Sequence, residues 1–203
     1  MSVVSAPHRH TAEDLERLSA RGHHYQLIDG ELIDMIPPGG EHGGMTMDLT
    51  TYVNVHILSQ NLGRGFAAET GFLVARDPDT VLAPDFAFIA HERLPIPMPR
   101  GYVPIVPDLV LETRSPHDTR REVADKVARW LALGVRLVWE MDPSAHRLTV
   151  YRPNQAPVAF GPLDPLEGGD VLPGFSLRLS LVFRGAADSP APSPEEPPME
   201  NPG

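Results

Sequence analysis

Cysteine is missing from all 203 residues, which excludes disulfides and thiolate metal sites. Long apolar runs are missing as well. No segment approaches the roughly 18–20 consecutive apolar residues that a membrane helix needs. The N-terminus, MSVVSAPHRHTAEDLERL, has neither the basic segment nor the apolar stretch of a signal peptide. The expectation from these absences is a cytoplasmic protein with no membrane partner. Positive charge is scarce: 17 Lys and Arg stand against 27 Asp and Glu, for a net charge of −10. That balance argues against a general polyanion-coating protein. It leaves open an enzyme that gathers carboxylates around a cation. Gly39-Gly40 and Gly43-Gly44 are not followed by the Gly-Lys-Ser/Thr of a phosphate loop, and no G-x-S-x-G is present.

Proline is plentiful, with 23 copies, and punctuates the chain. The segment from Ala186 onward holds six of them in 18 residues with almost no large apolar side chain. Such a composition does not offset ordering entropy, so residues 186–203 read as a disordered acidic tail behind one domain over 1–185. Thr11 and Asp14 stand at capping-box spacing before Leu15 and predict a helix from about residue 12. Tyr25–Ile28, Asp29-Gly30 and Glu31–Ile36 read as strand, tight turn and strand. Met45, Leu49, Tyr52, Val53 and Ile57 recur at helical spacing and predict a helix from about Gly44 to Leu62. A strand is expected over Phe66–Ala75, another from Pro84 to Ile89, and a proline-rich loop over 92–107. Pro107–Glu112 reads as a buried strand, Arg121–Leu133 as an amphipathic helix, and Val135–Met141 with Arg147–Tyr151 as a further strand pair. The fold class is therefore α/β, with a central mixed sheet, a long helix on one side, the Lys126 helix packed near it, and the N-terminal hairpin extending the sheet.

Two acids stand out for their setting. Asp85 opens an apolar strand and Glu112 ends one. A carboxylate on a core strand is costly unless it is paired or bound to metal. On neighbouring strands the two would form an oxygen-rich pocket suited to Mg²⁺, which takes few protein carboxylates and fills its shell with water and phosphate. The bland readings are a turn residue after Pro84 and a strand-end charge reaching solvent. Lys126 lies on the flank of the apolar face of its helix, near Val123 and Trp130. Its ammonium could stabilise a phosphate there, or the stem could simply cover Trp130. The histidines His8, His10, His23 and His24 match no compelling zinc spacing.

The segments PDFAFI and PDLVLETRSPHDTRREVADKVARWLALGVRLVWEMDP, with YQLIDGELIDMIPPGGEHGG upstream, resemble the Uma2 family (DUF820) of restriction-endonuclease-like proteins in the PD-(D/E)XK nuclease superfamily. The resemblance covers about residues 12 to 183. It implies a restriction-endonuclease-like core and a Mg²⁺-dependent endonuclease that cuts DNA, with Mn²⁺ as a substitute. It assigns Asp85 and Glu112, with the backbone carbonyl of Thr113, to the metal. The superfamily lysine would stand where this chain has Arg114, and Lys126 on the next helix is the other candidate. Lys126 is favoured, because an arginine does not release a proton near neutral pH. Glu31, in Asp-Gly-Glu, is a secondary candidate for the centre and Glu69 a looser one; His42 could touch substrate, but a lone His in a glycine-rich loop is more often a cap or a solvated residue. A homodimer would suit a cut in both strands. The alternative is a nuclease-fold module that binds nucleic acid or a protein partner without cleaving.

Overall fold

The structure is a computed structural model that describes residues 9–184. The acidic tail read from 186 onward, and His8, lie outside the described residues. Helix α1, Ala12–Ser19, starts at the expected capping box, in which Thr11 accepts from the Asp14 N–H and the Asp14 carboxylate accepts from the Thr11 N–H. Strands β1, Tyr25–Ile28, and β2, Glu31–Asp34, close through Asp29 and Gly30. These two have φ of 51° and 81°, the left-handed pair that a tight antiparallel hairpin requires.

Helix α2 spans Gly40–Ser59 and begins four residues before the expected start. Four glycines in or beside its first turns make that stretch a poor helix former in isolation. Burial of His42 and Thr46 supplies what propensity does not. The single strand expected over Phe66–Ala75 is two: β3, Gly63–Ala67, and β4, Phe72–Ala75. Glu69, at φ 67°, turns the chain between them. Strands β5, Thr80–Leu82, and β6, Phe86–Ala90, follow. After the expected proline-rich loop come β7, Leu109–Thr113, helix α3, Arg120–Ala132, β8, Leu137–Asp142, and β9, Arg147–Tyr151. The C-terminal part adds β10, Val158–Phe160, and the small pair β11, Pro165–Glu167, and β12, Ser176–Arg178.

The central sheet is six-stranded and mixed, in the order β10-β9-β8-β7-β6-β3, with β7 and β8 parallel and the other pairs antiparallel. The expectation that the N-terminal hairpin extends this sheet is overturned. β2-β1-β5-β4 form a four-stranded sheet of their own. β1 is already paired to β5 through Leu27 and Val81, and Ala83-Pro84 then carries the chain across to β6. The two long helices sit on opposite faces of the central sheet rather than near one another. Leu49, Val53 and Ile57 of α2 pack with Phe88, Leu111 and Trp139, whereas Val127 and Trp130 of α3 pack with Ala87, Val110 and Val138. The alternation along β7 thus sends Leu111 and Thr113 toward α2 and Val110 and Glu112 toward α3. No helix among the described residues is long and apolar enough to cross a membrane.

Buried Asp108 pins the sheet end opposite Asp85 and Glu112. It accepts from the Ala90 N–H at 2.8 Å and from Arg93 Nη1 at 2.6 Å. Replacement by alanine leaves a donor and a guanidinium without their partner, and is expected to cost about 3 kcal/mol. Urea unfolding checks this; an unchanged midpoint contradicts it.

Candidate metal centre

Asp85 stands one residue before β6 and Glu112 is the fourth residue of β7. The antiparallel register pairs Phe86 with Leu111, so one further step sets Asp85 across from Glu112. Acids distant in sequence therefore meet because two strands pair. Asp85 Oδ2 accepts the Thr113 N–H at 2.7 Å. Glu112 Oε1 accepts the indole N–H of Trp130 at 2.7 Å, so α3 fixes that carboxyl group. Burial pushes the Glu112 carboxyl up to about 7 and the Asp85 charge adds to the rise, while the Lys126 ammonium and the Trp130 hydrogen bond oppose it. A carboxylate pair that resists double ionisation is a site that a cation would relieve.

Lys126 is the sole lysine beside 16 arginines. Its amine is half-exposed, lies 3.8 Å from Asp118 Oδ2, and acts electrostatically on Glu112. Arg114 is engaged elsewhere. Its Nη1 donates to Asp142 Oδ2 at 3.0 Å, and its Nε and Nη2 donate to the Asp118 carbonyl at 3.3 and 3.1 Å. Glu31 is exposed opposite Ile28, at the turn end of the hairpin. That end lies beside Thr80, and β5 runs from there away toward Asp85. Glu31 is thus not brought to the acid pair. Glu69 is exposed in its turn, and none of Glu69, Glu112 and Lys126 lines either of the cavities below.

His42 is not the solvated or capping residue expected of a glycine-rich loop. It is buried in the first turn of α2, where Nε2 donates to the Thr113 carbonyl at 2.8 Å and lies 3.4 Å from Asp85 Oδ2. One turn later the Thr46 hydroxyl meets the Thr113 hydroxyl at 2.8 Å. The signal was available: a helix started at Gly40 places His42 and Thr46 on one face. Trp130 was legible only as core. Asp118, which accepts the Ser115 N–H at 2.9 Å and faces Lys126, had no pattern to mark it.

Two cavities flank His42. One, of about 210 Å³, reaches Arg114 and Asp142. The other, of about 440 Å³, runs between α2 and β3 and reaches Asp85. Among the described residues no group of three or more His, Asp or Glu side chains is arranged to hold a metal ion. An ion here would lean on two carboxylates and on water or substrate oxygens, which is a donor set that suits Mg²⁺.

The raised Glu112 value makes stability depend on pH. Between the ordinary 4.5 and about 7 the folded chain binds a proton that the unfolded chain has lost. Stability therefore falls as pH rises through that window, by on the order of 3 kcal/mol from this group. His42 acts in the same direction: burial lowers its value, but the Asp85 hydrogen bond and charge and the Thr113 carbonyl outweigh burial and leave it raised above 6.5. The expected outcome, in chelator, is a melting temperature that drops from pH 5 to pH 8 and drops less in Glu112→Gln. Equal slopes in the two proteins contradict the assignment.

No curated protein is significantly similar to the chain. Five solved chains are similar in structure. One of them is a putative nuclease belonging to DUF820 from Anabaena variabilis ATCC 29413, with a TM-score of 0.71 and 22% identity, over 85% of this chain and 97% of that one. At that identity the likeness shows a shared fold. The family model described as "Putative restriction endonuclease" matches residues 12–180, which includes Asp85, Glu112, Thr113, Arg114 and Lys126, and so the chain belongs to the Uma2 family.

Proposed function

We propose that the chain is a divalent-metal-dependent nuclease that hydrolyses phosphodiester bonds of DNA, with Mg²⁺ as its metal and Mn²⁺ as a substitute. The observation that supports this reading is that Asp85 and Glu112 flank the same end of the β6–β7 pair, where the Asp85 charge helps push Glu112 up to about 7. The two carboxylates and the remaining lone pair of the Thr113 carbonyl would hold the ion. When bound, such an ion polarises a phosphoryl oxygen and acidifies water.

The chain's own groups supply the rest. The cavity between α2 and β3 would admit the phosphate strand as far as Asp85. The Lys126 ammonium, free on its exposed side, hydrogen-bonds a non-bridging phosphate oxygen and offsets charge as it grows in the transition state. Water attacks phosphorus and gives up a proton to solvent, the bond to the leaving 3′-oxygen breaks, and that oxygen takes a proton from solvent to leave as a hydroxyl. Arg114 ties the 114–118 turn and so holds Asp118 beside Lys126. Trp130 fixes the Glu112 carboxyl group from α3.

A second reading, a nuclease-fold module that binds without cutting, is favoured by the engagement of the Thr113 carbonyl with His42 and by the lack, among the described residues, of three His, Asp or Glu side chains grouped to hold a metal ion. One assay separates the two. Purified protein is incubated with plasmid and with single-stranded DNA in Mg²⁺, in Mn²⁺ and in chelator. Metal-dependent cutting is expected, lost in Asp85→Asn and in Glu112→Gln, and reduced about 100-fold in Lys126→Ala. DNA that is retarded but uncut in every lane contradicts the nuclease reading and supports the binding module.

A further inference from the structure

We propose that His42, with Thr46 one turn after it, is a positioning residue that fixes the Thr113 peptide and, through it, Asp85. The inference rests on the metal-centre reading above and extends it to helix α2. Thr113 has three polar groups beside its neighbour Glu112, and each is held by a different residue. Its N–H goes to Asp85 Oδ2 at 2.7 Å, its carbonyl takes the His42 Nε2–H at 2.8 Å, and its hydroxyl meets Thr46 Oγ1 at 2.8 Å. His42 and Thr46 stand four residues apart, so one helix face delivers both contacts. Nε2 also lies 3.4 Å from Asp85 Oδ2, so the same ring nitrogen faces both the carbonyl and the acid.

The tautomer follows from these partners. Nε2 faces two oxygens that can only accept, so it carries the hydrogen. Nδ1 is buried without a hydrogen-bond partner. A metal-ligating histidine almost always donates its other ring N–H to a neighbouring acceptor. Here Nε2 is spent on the Thr113 carbonyl and the lone pair of Nδ1 is buried, so neither ring nitrogen is open to an ion, which separates a positioning role from a ligating one. A histidine that merely fastened α2 to the sheet would need neither the Asp85 approach nor the chain of contacts through Thr113 to the acid pair.

The test is Mn²⁺ binding by isothermal titration calorimetry on the full chain, with melting temperatures taken alongside, for wild type, His42→Gln, His42→Leu and Thr46→Val. The glutamine amide can still donate to the Thr113 carbonyl. His42→Leu is expected to weaken Mn²⁺ binding about 10- to 100-fold, with His42→Gln recovering most of it and Thr46→Val falling between. Where His42→Leu does not fold, Thr46→Val and His42→Gln carry the comparison. Wild-type affinity in every folded variant overturns the proposal, whatever happens to the melting temperature. If wild type itself binds no Mn²⁺, the metal-centre reading falls. The clamp is then decided by hydrogen exchange at the Thr113 amide: faster exchange in His42→Leu or Thr46→Val supports it, and unchanged exchange overturns it.

Discussion

Asp85 and Glu112 come to one end of the central sheet because β6 and β7 run antiparallel, close enough for the Asp85 charge to act on Glu112. That placement works against stability. Burial and the Asp85 charge both oppose ionisation of Glu112, and the hydrogen bond from Trp130 with the charge of Lys126 offsets only part of the penalty. A fold keeps such a pair only if the surrounding elements hold it in place. Here helices on both faces of the sheet do so: α3 grips Glu112 through Trp130, and α2 grips Thr113 and Asp85 through His42 and Thr46.

The same arrangement explains why the two helices differ in character. The capping box of α3, Thr119 with Glu122, starts that helix securely, and its apolar residues point at the sheet. Lys126 can therefore stand at the border between core and solvent, within electrostatic reach of the acids. Helix α2 has no side-chain cap at Gly39 and starts on glycines. Its first turn is held by contacts with β7 rather than by its own sequence. A glycine-rich helix start is thus held by tertiary contacts to Thr113 of β7, beside the candidate centre.

The legible parts of the fold were those written in local pattern. The α1 capping box, the Asp29-Gly30 turn, the β7–α3–β8 unit and the β8–β9 pair all follow from short-range signals. The placement of Asp85 and Glu112 at the ends of apolar strands was legible too, since a carboxylate at the mouth of an apolar strand is a local oddity. What was missed depends on partners far along the chain. The separate four-stranded sheet arises because β5 pairs with β1, which no local pattern announces. His42 was misjudged because glycines on either side mask a helix that tertiary burial sustains. Glu31 was promoted by motif likeness, whereas its carboxylate's position is set by hairpin register, which points it to the far end. Arg114, an open alternative to Lys126, turns out to be bound to Asp142 and to the Asp118 carbonyl.

The metal centre is tested most directly by crystals grown with Mn²⁺ and anomalous diffraction recorded at the manganese edge. A peak between the carboxyl groups of Asp85 and Glu112, absent from crystals of Glu112→Gln, is the expected result. Well-ordered crystals with both carboxyl groups in place and no anomalous peak there would contradict it.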